Sequence, residues 1–410
     1  MPESWDRDKS LERQIRAFHW VRLLAELPGR FAGSPEEREA ARRVESWIRD
    51  LGVDEVVLSP VSSRPRPGWV LALHMGLATL ACGLGGGLGA ALALAVVWSF
   101  RRELRSDEAG LTRPLSAPDS LNVVARAGSR SPRQRVVLSA HIDTAQAGWL
   151  FSPALADVFT RWTRLESGAP QGPLALPEWL LFAGAAAASA SWLGAAGVGV
   201  DAVRLALGVL LAVGCAASLQ WARARPTPGA NDNASAVAAM LTCAEQVLAG
   251  LPDDTELWIL GTGAEEVGCR GMKAFVAEHA DWPLDSTFFI NFECVGGGAL
   301  HWVRSEGTLD RVAYPPTLLE LARRVAASGV FGSVTPVDLM AGTDGSVPAA
   351  RRHPSLSIIS LEPNGVPRHY HRPEDVPEAL DMHTVVRAAN FGAAVAGAVL
   401  RGATGLIAVL

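Results

Sequence analysis

VVLSAHIDT, residues 136–144, decides how the chain is to be read. A short apolar run ending in His141-Ile142-Asp143 describes a buried strand that delivers polar groups at its carboxyl end. Residues two apart on a strand share a face, so the Asp143 carboxylate is placed to orient the His141 imidazole. Taken alone, a His-x-Asp triplet is common by chance. The same design recurs, however. TELWILGTGAEEVGCRG (255–271) runs an apolar strand into Glu265 and Glu266, and FFINFECVGGG (288–298) runs one into Glu293.

Working outward, further strand candidates lie at 55–59, 121–125, 299–303 and 355–360. Helix candidates lie at 8–27, 34–51, 234–249, 271–279, 316–327 and 383–401. Ser34-Pro35-Glu36-Glu37 supplies an N-cap, an N1 proline and first-turn acids. Strands alternating with helices predict an α/β fold, a mostly parallel sheet sandwiched by helices. No internal repeat is present.

Composition narrows the class. Of the 410 residues 49% are hydrophobic before the 40 glycines are counted, and only 19% are charged, against roughly 25% in ordinary soluble domains. With 37 basic and 42 acidic residues there is no electrostatic footprint for nucleic acid. Five scattered cysteines without a CxxC spacing argue against a disulfide framework and a thiolate zinc site, and suit a reducing compartment. The charged, amphipathic first sixty residues do not read as a cleavable signal peptide.

The excess apolar content is concentrated. Trp69–Phe100 holds no Asp, Glu, Lys or Arg, and Trp179–Gly199 and Ala202–Trp221 follow later. A membrane helix needs roughly 20 apolar residues. The last two segments pass on length; the first is long for one span and short for two, with GLGGGLG at its centre. Trp69, Trp98, Trp179 and Trp221 stand at segment ends, as in an aromatic belt. Pro-rich stretches at 62–68, 112–120, 168–177 and 224–229 border these segments as joints.

GANDNASA (229–236) and HYHRPEDVPE (369–378) carry the remaining polar groups. Singly, Asp232 reads as a helix N-cap and the histidines as a surface loop. Together with His141, Glu265, Glu266 and Glu293, at the carboxyl ends of strands in an open α/β sheet, they form a metal constellation. Nitrogen and carboxylate donors without thiolate suit a hydrolytic zinc pair, with an Asp able to bridge.

The order HxD, GANDNASA, GAEEVGCRG, NFECVGG, YHRPED resembles the M28 zinc aminopeptidases over about residues 10–60 and 120–400, the hydrophobic insert excepted. The resemblance implies a zinc-exopeptidase-like fold, a peptide substrate and two Zn2+ per chain. His141 and Glu293 would hold one zinc, Glu266 and His371 the other, and Asp232 would bridge them. Glu265 would be the general base and Asp143 the carboxylate behind His141. The pattern leaves open whether Glu293 and Glu266 are exchanged between the ions. His369 competes with His371, which holds the position before x-Pro-Glu-Asp. AGTDGSVPA (341–349) resembles the family's loop near the substrate, with Thr343 and Asp344 in place. The resemblance also implies a cis peptide between Asp232 and Asn233. Two features depart from the family: Glu293 stands where Asp is usual, and about ninety residues separate the first two motifs.

The combined expectation is a membrane-anchored aminopeptidase. Its catalytic domain would comprise residues 1–62, 118–168 and 228–410, interrupted by transmembrane hairpins at 69–100 and 178–222. Parity demands even crossings, so 69–100 turns at Gly83–Gly89, as two short spans or a re-entrant loop, and the second hairpin turns near Val200–Asp201. Arg64, Arg66, Arg101, Arg102, Arg105, Arg161, Arg164, Arg223 and Arg225 flank the catalytic side, which places that domain in the cytoplasm at the inner membrane. A packed terminal helix with a short apolar tail ends the chain. Two rivals share the scaffold: a single-zinc glutaminyl cyclase and an inactive membrane-complex subunit. Nothing in the sequence fixes the oligomeric state.

Overall fold

The computed structural model describes residues 7–27, 29–105, 110–115, 117–152, 154–155, 175–194, 197–307 and 310–402. Its strands are β1 (Glu55–Val61), β2 (Ser120–Gly128), β3 (Gln134–His141), β4 (Thr255–Thr262), β5 (Thr287–Glu293), β6 (Ala299–Glu306), β7 (Val312–Ala313), β8 (Val334–Asp338) and β9 (Ser355–Leu361). They form one sheet in the order β1-β2-β4-β3-β5-β9-β6-β7, with β8 paired to β6.

Only the centre is parallel, β4-β3-β5-β9, with β8 parallel to β6 at one side. β1 with β2, β2 with β4, β6 with β9 and β6 with β7 are antiparallel. The sheet is therefore mixed, which corrects the expectation of a mostly parallel one. β8 follows helix Pro316–Ala327 and is parallel to β6, whereas β7 begins six residues after β6 ends, too few for a crossover helix. Between β1 and β2 runs an inserted helical hairpin instead.

The central strands are buried on both faces with a period of two. Val136 and Leu138 of β3, Leu257 and Ile259 of β4, and Phe288 and Ile290 of β5 enter the large core. That core is closed by helices Arg7–Ala25, Pro35–Asp50, Ala236–Leu248 and Met382–Leu400. Val137, Leu260 and Phe289 face the opposite layer, where Met272 and Phe275 of helix Arg270–Glu278 cover them. Ser34 caps helix Pro35–Asp50 by accepting from the Glu37 amide at 3.0 Å, as the sequence signals predict.

Four further helices form a separate bundle: Pro67–Leu84 and Gly86–Arg105, then Ala175–Trp192 and Val198–Ala222. The first pair breaks at Gly85, whose φ of 60° suits glycine. The second turn is displaced from the expected position. Val200 and Asp201 lie inside helix Val198–Ala222, and the break falls earlier, where Gly194 and Gly197 take φ of 92° and 131°. Leu71, Met75 and Cys82 of the first hairpin pack with Leu181, Leu211 and Trp221 of the second. At the far end Arg204 donates to the carbonyls of Cys82 and Gly83, capping the first helix with the second hairpin. Helices Pro67–Leu84 and Val198–Ala222 are long and apolar enough to cross a membrane. The bundle's outer surface is apolar too: Leu88 is 79% exposed and Val209 64%. Arg161, Arg164 and the tail from residue 403 lie outside the described residues.

The hairpins touch closely. A Cβ on Gly68 would stand 2.6 Å from the Ala222 nitrogen, a backbone atom that cannot swing aside. Gly68→Ala is expected to destabilise the protein by about 1–3 kcal/mol. Gly83→Ala, which meets open space, should leave the calorimetric unfolding midpoint unchanged or raise it.

Candidate metal centre

Register brings the strand ends together. His141 ends β3 opposite Thr262 at the end of β4, and Glu293 ends β5 alongside them. GANDNASA folds as a kinked turn over Ala230–Ser235, with Asp232 and Asn233 in non-helical backbone and a cis peptide between them. His371 enters from the loop after β9, in left-handed backbone with φ of 53°.

Asp232 lies at the middle of the cluster and its two oxygens face different ways. Oδ1 is 3.3 Å from His141 Nε2, which lies 3.1 Å from Glu293 Oε1. Oδ2 is 3.2 Å from His371 Nε2, which lies 3.4 Å from Glu266 Oε2. Two donor triplets thus share one carboxylate: His141, Glu293 and Asp232 on one side, His371, Glu266 and Asp232 on the other. Glu266 Oε1 and Glu293 Oε2 are buried and accept no hydrogen bond. Buried carboxylate oxygens left unpaired are costly unless a cation compensates them. Imidazole and carboxylate donors at this spacing fit zinc.

Electrostatics report the same crowding. Burial works against a charged imidazole at His371, yet Glu266 and Asp232 override it and raise its pKa to about 10. Burial raises Asp232, but the bonds from His141 and His371 pull it well below the usual carboxylate range. Burial pushes the Glu265 carboxyl well up, against the pull of His141 and helped by Glu293, Asp344 and Glu266. Glu265 Oε2 stands 4.0 Å from His141 Nε2, and Cys269 Sγ donates to its other oxygen at 3.4 Å.

Asp143 is placed differently from the strand argument. β3 ends at His141, so Asp143 lies in the loop, and the imidazole Nδ1 bonds the Asp143 backbone carbonyl at 3.1 Å. Its carboxylate accepts the amides of Glu265 and Glu266, each at 3.0 Å, and stands 3.5 Å from Nδ1. Asp143 therefore aims the Glu pair as well as the imidazole. Thr343 and Asp344 are buried. The Thr343 hydroxyl donates to Glu306, whose carboxyl burial raises to about 8, and Asp344 accepts from Thr262. His369, unlike His371, is in neither triplet.

Sequence reasoning missed the residues behind the donors. Arg30 is fully buried and donates to the carbonyls of Leu24, Ile142, Pro228 and Gly229, clamping the His141 loop against the Asp232 loop. Burial lowers its pKa to about 10, with Asp375, Asp143 and Asp232 opposing the loss of charge. Glu37 accepts from Ala264 N at 3.1 Å, one residue before Glu265. Asp375, quoted in the HRPED motif but given no role there, accepts the amides of Asn231 and Asp232 at 2.6 and 3.1 Å. Asn233 Oδ1 accepts from Cys294 N at 2.8 Å. An arginine in a loop carries no sequence mark of burial, whereas Asp375 and Asn233 lie within motifs the sequence singles out.

The insert supplies one wall. Phe151 lies edge-on to His371 at 4.5 Å, Trp221 is stacked at 6.5 Å, and Tyr370 covers the same ring at 3.8 Å. The segments leading to and from the second hairpin pair as a neck: Gln146 bridges Pro226, Ala147 N donates to Arg225 O, and Thr227 N donates to Ala145 O.

With this geometry in hand, the comparisons are specific. The sequence model of Peptidase family M28 matches residues 212–396. The fold is similar to that of zinc exopeptidases. The aminopeptidase from Aneurinibacillus sp. strain AM-1 superposes with a TM-score of 0.56 at 16% identity, covering 94% of this chain and 93% of its own. The zinc aminopeptidase BSAP from Bacillus subtilis gives 0.54 at 17% identity, covering 93% and 94%. A glutaminyl cyclase from Tannerella forsythia gives 0.53 at 14% identity, covering 94% and 98%. No curated protein sequence matches the chain.

Arg30→Lys keeps the charge but cannot reach four carbonyls at once. Equilibrium dialysis against limiting zinc should show affinity reduced by about 10–100-fold, the usual cost of losing support behind metal ligands, with the far-ultraviolet spectrum unchanged.

Proposed function

We propose that the chain is a membrane-anchored dizinc aminopeptidase that removes N-terminal residues from peptides. The observation that carries this reading is the division of Asp232, one oxygen to each His/Glu pair. Two complete triplets favour a two-metal hydrolase over a single-zinc cyclase, and a full donor set favours an enzyme over an inactive subunit. Zinc bound there would supply Lewis acidity toward the scissile carbonyl and acidify a water molecule. Glu265, outside both Asp232 triplets yet next to Glu266 in sequence, takes the proton from water and returns it to the leaving amine. Asp143 and Glu37 hold its backbone, so the base is aimed before substrate arrives. Asp344 lies close enough to Glu265 to act on its charge, and with Thr343 it belongs to the loop assigned to the substrate.

Glu265→Gln preserves shape while removing the base. Turnover of N-terminal residues should fall by roughly 10²–10⁴-fold, while metal analysis of wild type and variant alike gives two zinc ions per chain. One ion per chain, or retained activity, contradicts the assignment.

For anchoring, the two hairpins give about four crossings. Support comes from the exposed apolar surface of the bundle and from Arg223 stacked on Trp69 at 5.2 Å where the bundle meets the catalytic domain. The catalytic domain then faces the cytoplasm. Single cysteines at Leu88, Val198 and Leu11, in a background free of native cysteines, test this on intact cells. An impermeant thiol reagent should label the first two and spare the third. The opposite pattern reverses the orientation.

A further inference from the structure

β1 runs parallel to β4, so its end at Val61 lies at the same sheet edge as the ends of β3, β4 and β5. β2 begins at that edge, with Ser120 paired to Val61. The first hairpin leaves after β1 and returns before β2. The second leaves after His141 and returns at the Asp232 turn. Both hairpins therefore project from the one edge that carries every metal donor. The catalytic face is the face turned toward the bundle.

Where the second hairpin returns, bundle and catalytic domain are in direct contact. Trp221, in the last turn of helix Val198–Ala222, donates to Gln146 O at 3.0 Å, and Gln146 Nε2 donates back to Ala222 O at 2.9 Å. The same indole stacks on His371. Val213, 57% exposed on that helix, precedes Trp221 by eight residues, which is about 12 Å along the axis. Trp69 with Arg223 marks the level of the aqueous boundary, two residues beyond Trp221. The indole that covers His371 and the exposed apolar surface of the same helix thus lie about two helical turns apart.

The geometry points to a particular substrate class: polypeptides that are themselves held in the bilayer, whose N-termini emerge at headgroup level beside the metal centre. This rests on the membrane-anchored aminopeptidase reading above. A freely dissolved peptide must enter between the catalytic face and the lipid surface. An N-terminus rising from the bilayer is already there. Extended chain covers about 3.3–3.6 Å per residue, so about four residues span 12 Å.

The test uses the full-length protein in proteoliposomes with two substrates sharing one N-terminal sequence. One is a free hexapeptide amide; the other carries a twenty-residue polar spacer ahead of a Leu/Ala membrane-spanning helix. Mass spectrometry reads the length remaining. The hexapeptide should be hydrolysed, and the anchored peptide trimmed until about four to six residues stand above the apolar segment. A stop with more than about a dozen residues left, the length needed to pass around a domain of this size, overturns the inference. So does an intact anchored peptide beside a hydrolysed hexapeptide. Hydrolysis of neither removes the aminopeptidase reading itself.

Discussion

Negative charge buried at one sheet edge is the constraint on which the rest of this structure depends. Asp143, Asp232, Glu265, Glu266, Glu293, Asp344 and Asp375 converge where β3, β4 and β5 end, and most are removed from water. Such a cluster cannot persist without positive partners. Among the described residues, His141, His371 and Arg30 are positive partners that face it. The remaining oxygens, unpaired on Glu266 and Glu293, leave room for cations. Many surrounding hydrogen bonds can be understood as means of holding like charges where they would not choose to stay.

Arg30 illustrates how far that support reaches. It comes from the first connecting loop of the chain, yet its fork ties together carbonyls from residues 24, 142, 228 and 229. Asp375 closes the arrangement from the other end by holding the amides on either side of the Asn231–Asp232 bond. The centre is therefore assembled from nearly the whole sequence, and the stretch matched by the M28 sequence model contains Asp232, Glu265, Glu266, Glu293 and His371 but not His141.

Much of this was legible in the sequence because burial and chemistry change together at strand ends. Leu138 must be apolar and His141 need not be, so a polar residue after such a run stands out. The glycine-flanked Asp232 and the x-Pro-Glu-Asp context of His371 were legible for similar reasons. Arg30 was not, since its role depends on four carbonyls supplied by distant segments. The role of Asp143 was half legible: its place near His141 follows from spacing, but its grip on the Glu265 and Glu266 amides appears only when β4 is laid beside β3. Strand direction at the sheet margins and the true turn of the second hairpin also escaped. Asp201 reads as a turn residue by polarity, whereas the chain reverses where Gly194 and Gly197 permit positive φ.

The neck at Gln146 and Pro226 has a consequence for how such a molecule could arise. Across it the two chain segments run antiparallel and are hydrogen-bonded, so their ends are already adjacent. To the catalytic domain, everything between them is equivalent to a β-turn. Closing a long excursion costs little more than closing a short one when its ends are pinned together. A hydrophobic module could thus be spliced into the loop between His141 and Asp232 without moving either. Its removal in favour of a two-residue turn would leave the neck and the two loops beside it in place, less Phe151 and Trp221 against His371.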